Sequence, residues 1–115
     1  MPNPVVHFEI GCRDTAQSAQ FYNSLFGWST AAMGPALMIQ TGDSQGIPGH
    51  FTALGHEPFH YTLFYVNVDD IEAYIAKAQG LGAKVVVPKV DIPGYGSFAW
   101  IADPDGNTVG LWQPA

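Results

Sequence analysis

The chain repeats itself, and that repeat constrains its fold more than any other feature. In "VVHFEIGCRD" residues alternate with period two, placing Val6, Phe8, Ile10 and Cys12 on one face of a strand and His7, Glu9 and Gly11 on the other. The following "TAQSAQFYNSLFGW" has apolar residues at Ala19, Phe21, Tyr22, Leu25 and Phe26, near helical spacing, with Asp14 or Thr15 as N-cap and Gly27 as stop. Further on, "YTLFYVNVDDIEAYIAKAQGLGAKVVV" does the same. Thr62, Phe64, Val66 and Val68 alternate, Asp69 or Asp70 caps, Ile71, Tyr74, Ile75 and Ala78 form a helical stripe, and Gly80 and Gly82 end it. The two stretches align at an offset of 56, which sets Asp14 on Asp70 and Leu25 on Leu81.

After each helix come short runs of strand character separated by turn residues. In the first half these are Ser29 to Met33, Ala36 to Thr41 and Gly49 to Leu54. In the second they are Lys84 to Pro88, Ser97 to Ala102 and Thr108 to Trp112, the last two parted by "DPDG". Each half therefore reads β-α-β-β-β, and the expected fold class is α+β. The chain is one domain by length, with a first module over about 1–56 and a second over about 57–115. Each sheet buries its helix-facing side and leaves the other to line a cleft.

Composition narrows the partners. Net charge is −6, and the cations are only Arg13, Lys77, Lys84 and Lys89, too few for the basic face that a phosphate backbone requires, so nucleic acid is excluded. The same scarcity disfavours a ligand with several carboxylates or phosphates and favours a neutral, aromatic or cationic one. No apolar run approaches the ~18 residues of a membrane span, and "MPNPVVHFEI" lacks the basic-then-apolar pattern of a signal peptide. Cys12 is the lone cysteine, which fits a reducing compartment, and a cytoplasmic location is expected. On the helix-facing side it reads as a buried structural thiol.

The strand histidine, the aspartate seven residues on, "FY" within the helix and "LFGW" at its end, together with "VNVDDIEAYIAKAQGLGAKVVVP" and "DPDGNTVGLWQ", resemble the vicinal oxygen chelate superfamily of glyoxalase, bleomycin-resistance and extradiol dioxygenase proteins. The resemblance implies an open barrel of paired βαβββ modules whose central cleft often holds a divalent metal, with ligands from the first and last strands of each module. It also implies a homodimer. His7 matches the first-strand histidine. Its counterpart in the second module is Leu63, which cannot bind a metal, and the last-strand glutamate falls at Gly110. Setting "GDSQGIPGH" beside "DPDGNTVG" puts His50 opposite Gly110. His7 and His50 alone would hold a divalent metal loosely, and no resident cofactor is expected.

Alternation assigns the cleft face: His7, Glu9, His50, Thr52, Tyr61, Leu63, Tyr65, Asn67, Thr108, Gly110 and Trp112. Aromatic walls with a few polar points are the usual make-up of a small-molecule site, and His50, Thr52, Tyr61, Tyr65, Asn67 and Trp112 are the expected ligand contacts. His7 beside Glu9 is the pair suited to moving a proton next to a carbonyl. The competing reading has His7 orienting a ligand by hydrogen bonding while Glu9 pairs with a lysine or tyrosine. Gly110 predicts extra room beside Trp112. His56 and His60 fall in the segment joining the modules. Three functions follow: a small-molecule-binding protein with a degenerate metal site; a metal-dependent lyase, isomerase or dioxygenase using His7, His50 and Glu9; or an accessory domain that regulates another enzyme.

Overall fold

A computed structural model describes residues 2–42, 44–53 and 60–115. The elements run β1 (Val5–Gly11), α1 (Thr15–Phe26), β2 (Ser29–Met33), β3 (Ala36–Gln40), β4 (Gly49–Thr52), β5 (Tyr61–Asn67), α2 (Ile71–Gly80), β6 (Lys84–Ile92), β7 (Gly96–Ala102) and β8 (Thr108–Pro114). This is the expected α+β fold with two βαβββ modules. Leu54 and His56 lie outside the described residues.

The chain forms two compact units, one of residues 7–63 and one of residues 1–6 with 64–115. In the first, strands run in the order β2-β3-β4-β1, with β4 antiparallel to β3 and parallel to β1. Helix α1 starts where Asp14, in extended backbone, accepts hydrogen bonds from the N–H groups of Ala16 and Gln17, satisfying two of the donors that every helix start leaves open. It stops at Gly27, whose φ of 74° closes a left-handed C-cap with its N–H on the Asn23 carbonyl. The even face of β1 packs beneath this helix. Cys12, Ala19, Ile39 and Phe51 form the buried core, with Phe8, Ile10, Tyr22, Trp28 and Leu37 against them. Tyr22 stacks on Trp28 at 5.4 Å and 5°. Cys12 is buried as expected, its thiol directed at the Thr52 carbonyl.

The helix stripe departs from expectation. Ala19 and Tyr22 pack inward, but Phe21, Leu25 and Phe26 remain 57–59% exposed. Phe21 meets Tyr22 edge-on at 5.0 Å and Phe26 lies 5.3 Å from Trp28, so these rings rest against the rim of the core rather than within it.

In the second unit the order is β5-β8-β7-β6, with β8 parallel to β5 and antiparallel to β7. The N-terminal residues belong here: the Pro4 carbonyl accepts from the Asn67 N–H, and Asn3 bonds to the Asn67 carbonyl and the Tyr74 hydroxyl. Asp70 caps α2 through the Ala73 N–H, and Gln113 supplies Oε1 to the Ile71 N–H. Val68, Ile71, Ala99 and Leu111 make this unit's core. β6 runs four residues past the expected stop at Pro88, to Ile92. Proline lacks a donor, yet it is tolerated on an outer strand at a bulge, and the register with β7 slips between Val87 and Val90.

Candidate functional site

On the odd face of β1 three residues sit in a row: His7, Glu9 and Gly11. Register places His50 of β4 directly beside Glu9. The result is a linear chain of hydrogen bonds. The Tyr61 hydroxyl donates to Glu9 Oε2. Glu9 Oε1 lies 3.1 Å from His50 Nε2, and His50 Nδ1 lies 2.7 Å from His7 Nε2. The imidazoles face each other at 5.0 Å between centroids, tilted 33°.

The carboxylate end of this chain fixes its donor. An ionised Glu9 accepts only, so His50 Nε2 is the donor to it; which of His50 Nδ1 and His7 Nε2 donates to the other is set by the tautomer. Burial pulls the His7 pKa down from 6.5 to about 4, the proximity of His50 adds to this and Glu9 opposes it, so His7 is neutral at pH 7. Burial first, and the hydrogen bond to Glu9 second, push Tyr61 well above its ordinary value, which keeps its hydroxyl a donor. Glu9 is only 3% exposed. A buried carboxylate is expensive unless satisfied, and Tyr61 and His50 each supply a partner to one of its oxygens.

Gly11 makes this possible. A Cβ built there would fall inside the Tyr61 ring, so the ring lies flat across the glycine and carries its hydroxyl to the carboxylate two residues back. On the opposite face of the same unit Gly49 does the equivalent for the Phe8 ring. Neither glycine stood out in the sequence; the signal was a glycine interrupting an alternating strand, which marks a close approach.

Of the expected site residues, His7, Glu9, His50 and Tyr61 are brought together. Thr52 and Leu63 belong to the same unit and are buried. His60 lines a separate depression of about 310 Å³ at the start of α1, with Arg13, Asp14 and Gln17. In the second unit Gly110 pairs with Tyr65 on one side and Trp100 on the other, and Trp100 Nε1 donates to the Tyr65 hydroxyl at 2.9 Å. The space over Gly110, expected to lie open beside Trp112, is bridged by these two side chains. Trp112 instead packs over Gly96. Asn67 Oδ1 is buried without a hydrogen-bond partner among the described residues. Trp100 was not among the expected site residues; it lies one strand beyond those that alternation had assigned.

The register also supports the alignment of His50 with Gly110. His50 pairs with Glu9 and Met38; Gly110 pairs with Tyr65, the repeat equivalent of Glu9, and with Trp100.

A metal ion of the kind the family implies would need donors that converge. Two nitrogens on one tetrahedral zinc at ~2.0–2.1 Å lie roughly 3.4 Å apart, whereas His7 Nε2 and His50 Nδ1 are in hydrogen-bond contact at 2.7 Å. Glu9 approaches the other nitrogen of His50, on the far side of its ring from His7. Among the described residues no three histidine, cysteine, aspartate or glutamate side chains are placed to hold a metal ion. The residues present fit a hydrogen-bonded chain and do not fit a three-ligand centre.

The tandem βαβββ architecture and a polar strand-face site define a recognisable class. Residues 5–111 match the family model of the glyoxalase/bleomycin resistance protein/dioxygenase superfamily, and the chain belongs to that family. It is 32% identical over 117 residues to a putative glyoxylase, CFP32, of Mycobacterium tuberculosis, covering 91% of this chain and 43% of that protein. It is 27% identical over 131 residues to the anthracycline biosynthesis protein DnrV of Streptomyces peucetius, covering 97% of this chain and 47% of that one. The chain thus spans about half the length of these two curated relatives. Among solved structures, a methylmalonyl-CoA epimerase superposes with a TM-score of 0.71 at 14% identity, covering 100% of this chain and 98% of that one. A superfamily member from Vibrio splendidus gives 0.68 at 17%, covering 98% and 99%. Among the described residues no helix is long and apolar enough to cross a membrane.

Proposed function

We propose that this chain binds a small neutral, aromatic or cationic molecule on the strand face that carries His7, His50, Glu9 and Tyr61, held by hydrogen bonds and ring contacts without a tightly bound metal. The observation that carries this reading is the chain of hydrogen bonds itself. It gathers a buried carboxylate and a neutral imidazole on one face. The only lysine or arginine in this unit, Arg13, borders the depression at the start of α1. Such a face repels dicarboxylates and accepts hydrogen-bond donors or positive charge. Relationship to a protein of anthracycline biosynthesis supports an aromatic ligand.

In an enzymatic variant of this reading, His7 and Glu9 are the acid–base pair, with His50 passing protons between them. A metal-dependent lyase, isomerase or dioxygenase would require the three donors to rearrange around one ion. Thermal-shift measurements with aromatic cations, neutral aromatics and dicarboxylates test the charge argument. Stabilisation by the first two that is lost in His50→Ala supports it, and stabilisation by dicarboxylates alone overturns it. Metal analysis of protein purified without chelator, with His7→Ala as control, tests the metal: a stoichiometric ion lost in the variant would move the reading to the metal-dependent class. The setting we propose is cytoplasmic.

A further inference from the structure

The depression at the start of α1 lies wholly within the unit of residues 7–63, and none of His7, Glu9, His50 or Tyr61 lines it. Its volume of about 310 Å³ is that of a pocket for a small ligand. One wall is aromatic. Asp14, Gln17, Ser18, Phe21 and Tyr22 recur at intervals of three and four residues, so they share one face of the helix. Tyr22 is anchored in the core against Trp28 and Phe51, and Phe21 meets it edge-on at 5.0 Å and 89° while staying 59% exposed. The two rings form a corner that a third, planar ring can enter by stacking on one and meeting the other edge-on. The rest of the lining is rich in donors: Arg13, Gln17, Ser18 and His60 carry N–H or O–H groups. Asp14 is the one carboxylate on it among the described residues, and its Oδ1 already takes the N–H groups of Ala16 and Gln17.

The repeat shows that the fold does not require this combination. Asp14 recurs as Asp70 because both helices need a cap. Arg13, by contrast, corresponds to Asp69, Phe21 to Lys77 and Tyr22 to Ala78. Ser18 corresponds to Tyr74, whose hydroxyl reaches Asn3, and the shorter serine leaves room at this place in the first unit. An exposed arginine alone holds an anion weakly, and an exposed phenylalanine alone needs no ligand to explain it. Side by side in one concavity they match the two ends of one molecule. We propose that this depression is a second binding site, for a small aromatic monocarboxylate whose ring packs on Phe21 and Tyr22 and whose carboxylate meets the donors of Arg13, Gln17 and His60. One carboxylate is what the charges allow. Arg13 is the only lysine or arginine between residues 7 and 63, so a second anionic group would find no further one in this unit, and the whole chain carries −6. The strand face, with its buried carboxylate, favours donors or positive charge instead.

Phenylacetate is the probe, titrated into the full chain and followed by amide chemical shifts in two-dimensional NMR. A ligand of this size is expected to bind with a Kd of about 1 mM, moving the amides of Arg13, Gln17 and Phe21 and leaving those of His7 and His50 in place. Phenylacetamide keeps the ring but not the charge, and acetate keeps only the carboxylate; each should bind roughly tenfold more weakly or worse. Arg13→Gln and Phe21→Ser should each weaken phenylacetate by roughly tenfold. Both side chains are exposed, so both variants should keep the fold, which circular dichroism checks. Leu25→Ser, on the same helix but off the lining, should leave the Kd unchanged. The proposal is overturned if phenylacetate gives no saturable shift, if phenylacetamide binds as well, or if folded Arg13→Gln binds like wild type. Shifts centred on His7 and His50, or an equal loss in Leu25→Ser, overturn it as well, the former by putting the ligand on the strand face.

Discussion

Replacing Gly11 by alanine should damage the site through a residue that never touches a ligand. The added methyl falls inside the Tyr61 ring, so the ring must leave its seat on β1 and draw its hydroxyl away from Glu9. A hydrogen bond to an ionised group contributes about 1.5–3 kcal/mol, and overpacking of this kind costs about 1–3 kcal/mol. With partial relaxation the variant should lose about 2–4 kcal/mol. The same substitution in a Tyr61→Ala background meets no ring. It should then cost nothing, or stabilise the strand by about 0.5–1 kcal/mol, since alanine restricts the unfolded chain more than glycine does and Gly11 does not use positive φ. Urea unfolding of the four proteins in this cycle gives the coupling directly, expected at about 2–4 kcal/mol. A coupling below about 0.5 kcal/mol, within the error of additive sites, would refute the assignment of Gly11 as the seat of Tyr61.

Other outcomes follow from the same geometry. His7, with its pKa lowered from 6.5 to about 4, binds a proton more readily in the unfolded chain, so stability is full above pH 6.5 and declines as pH falls towards 4. Discounted for solvent screening of a partly exposed ring, the loss is about 1–2 kcal/mol, and His7→Asn should flatten that part of the stability–pH curve. Gly110→Glu should destabilise the second unit by about 1–3 kcal/mol, because its side chain enters the Tyr65–Trp100 bridge, and it should not by itself create tight metal binding; calorimetric zinc titration of Gly110→Glu and of the Leu63→His/Gly110→Glu double variant checks this. Asp14→Ala should cost about 1 kcal/mol through the lost cap, read from thermal unfolding.

How much of this was legible in the sequence depended on the range of the interaction. Period-two alternation in β1 assigned His7, Glu9 and Gly11 to one face and Phe8, Ile10 and Cys12 to the other, because alternation is a local consequence of the pleat. Capping by Asp14 and Asp70 was legible for the same reason. The partner of Glu9 was not: whether it met a lysine, a tyrosine or a metal depended on the register of β1 against β4 and on which ring lay over Gly11. Pro88 misled because its meaning depends on strand position. In a central strand it ends the ladder, and on β6 it sits in a bulge. The exposure of Phe21, Leu25 and Phe26 was equally hidden, since a stripe on a helical wheel shows what could be buried and not which side chains stop at the rim of the core.

The two units show how one register can be put to two uses. In the first, the cross-strand row runs Glu9, His50, Met38; in the second, the equivalent row runs Tyr65, Gly110, Trp100. The first row has a polar side chain at its centre, so contacts pass through that centre and His50 joins Glu9 to His7. The second has no side chain there, so the outer residues bond to each other across the gap. Exchanging the central residues should therefore not exchange the properties of the rows. A histidine at position 110 would displace the indole from the Tyr65 hydroxyl without gaining a carboxylate, because Tyr65 stands where Glu9 does. A glycine at position 50 would take the imidazole from Glu9 Oε1 and leave a buried carboxylate less well satisfied. The polar chain thus depends on the pair Glu9 and His50 together, and neither residue alone makes the site.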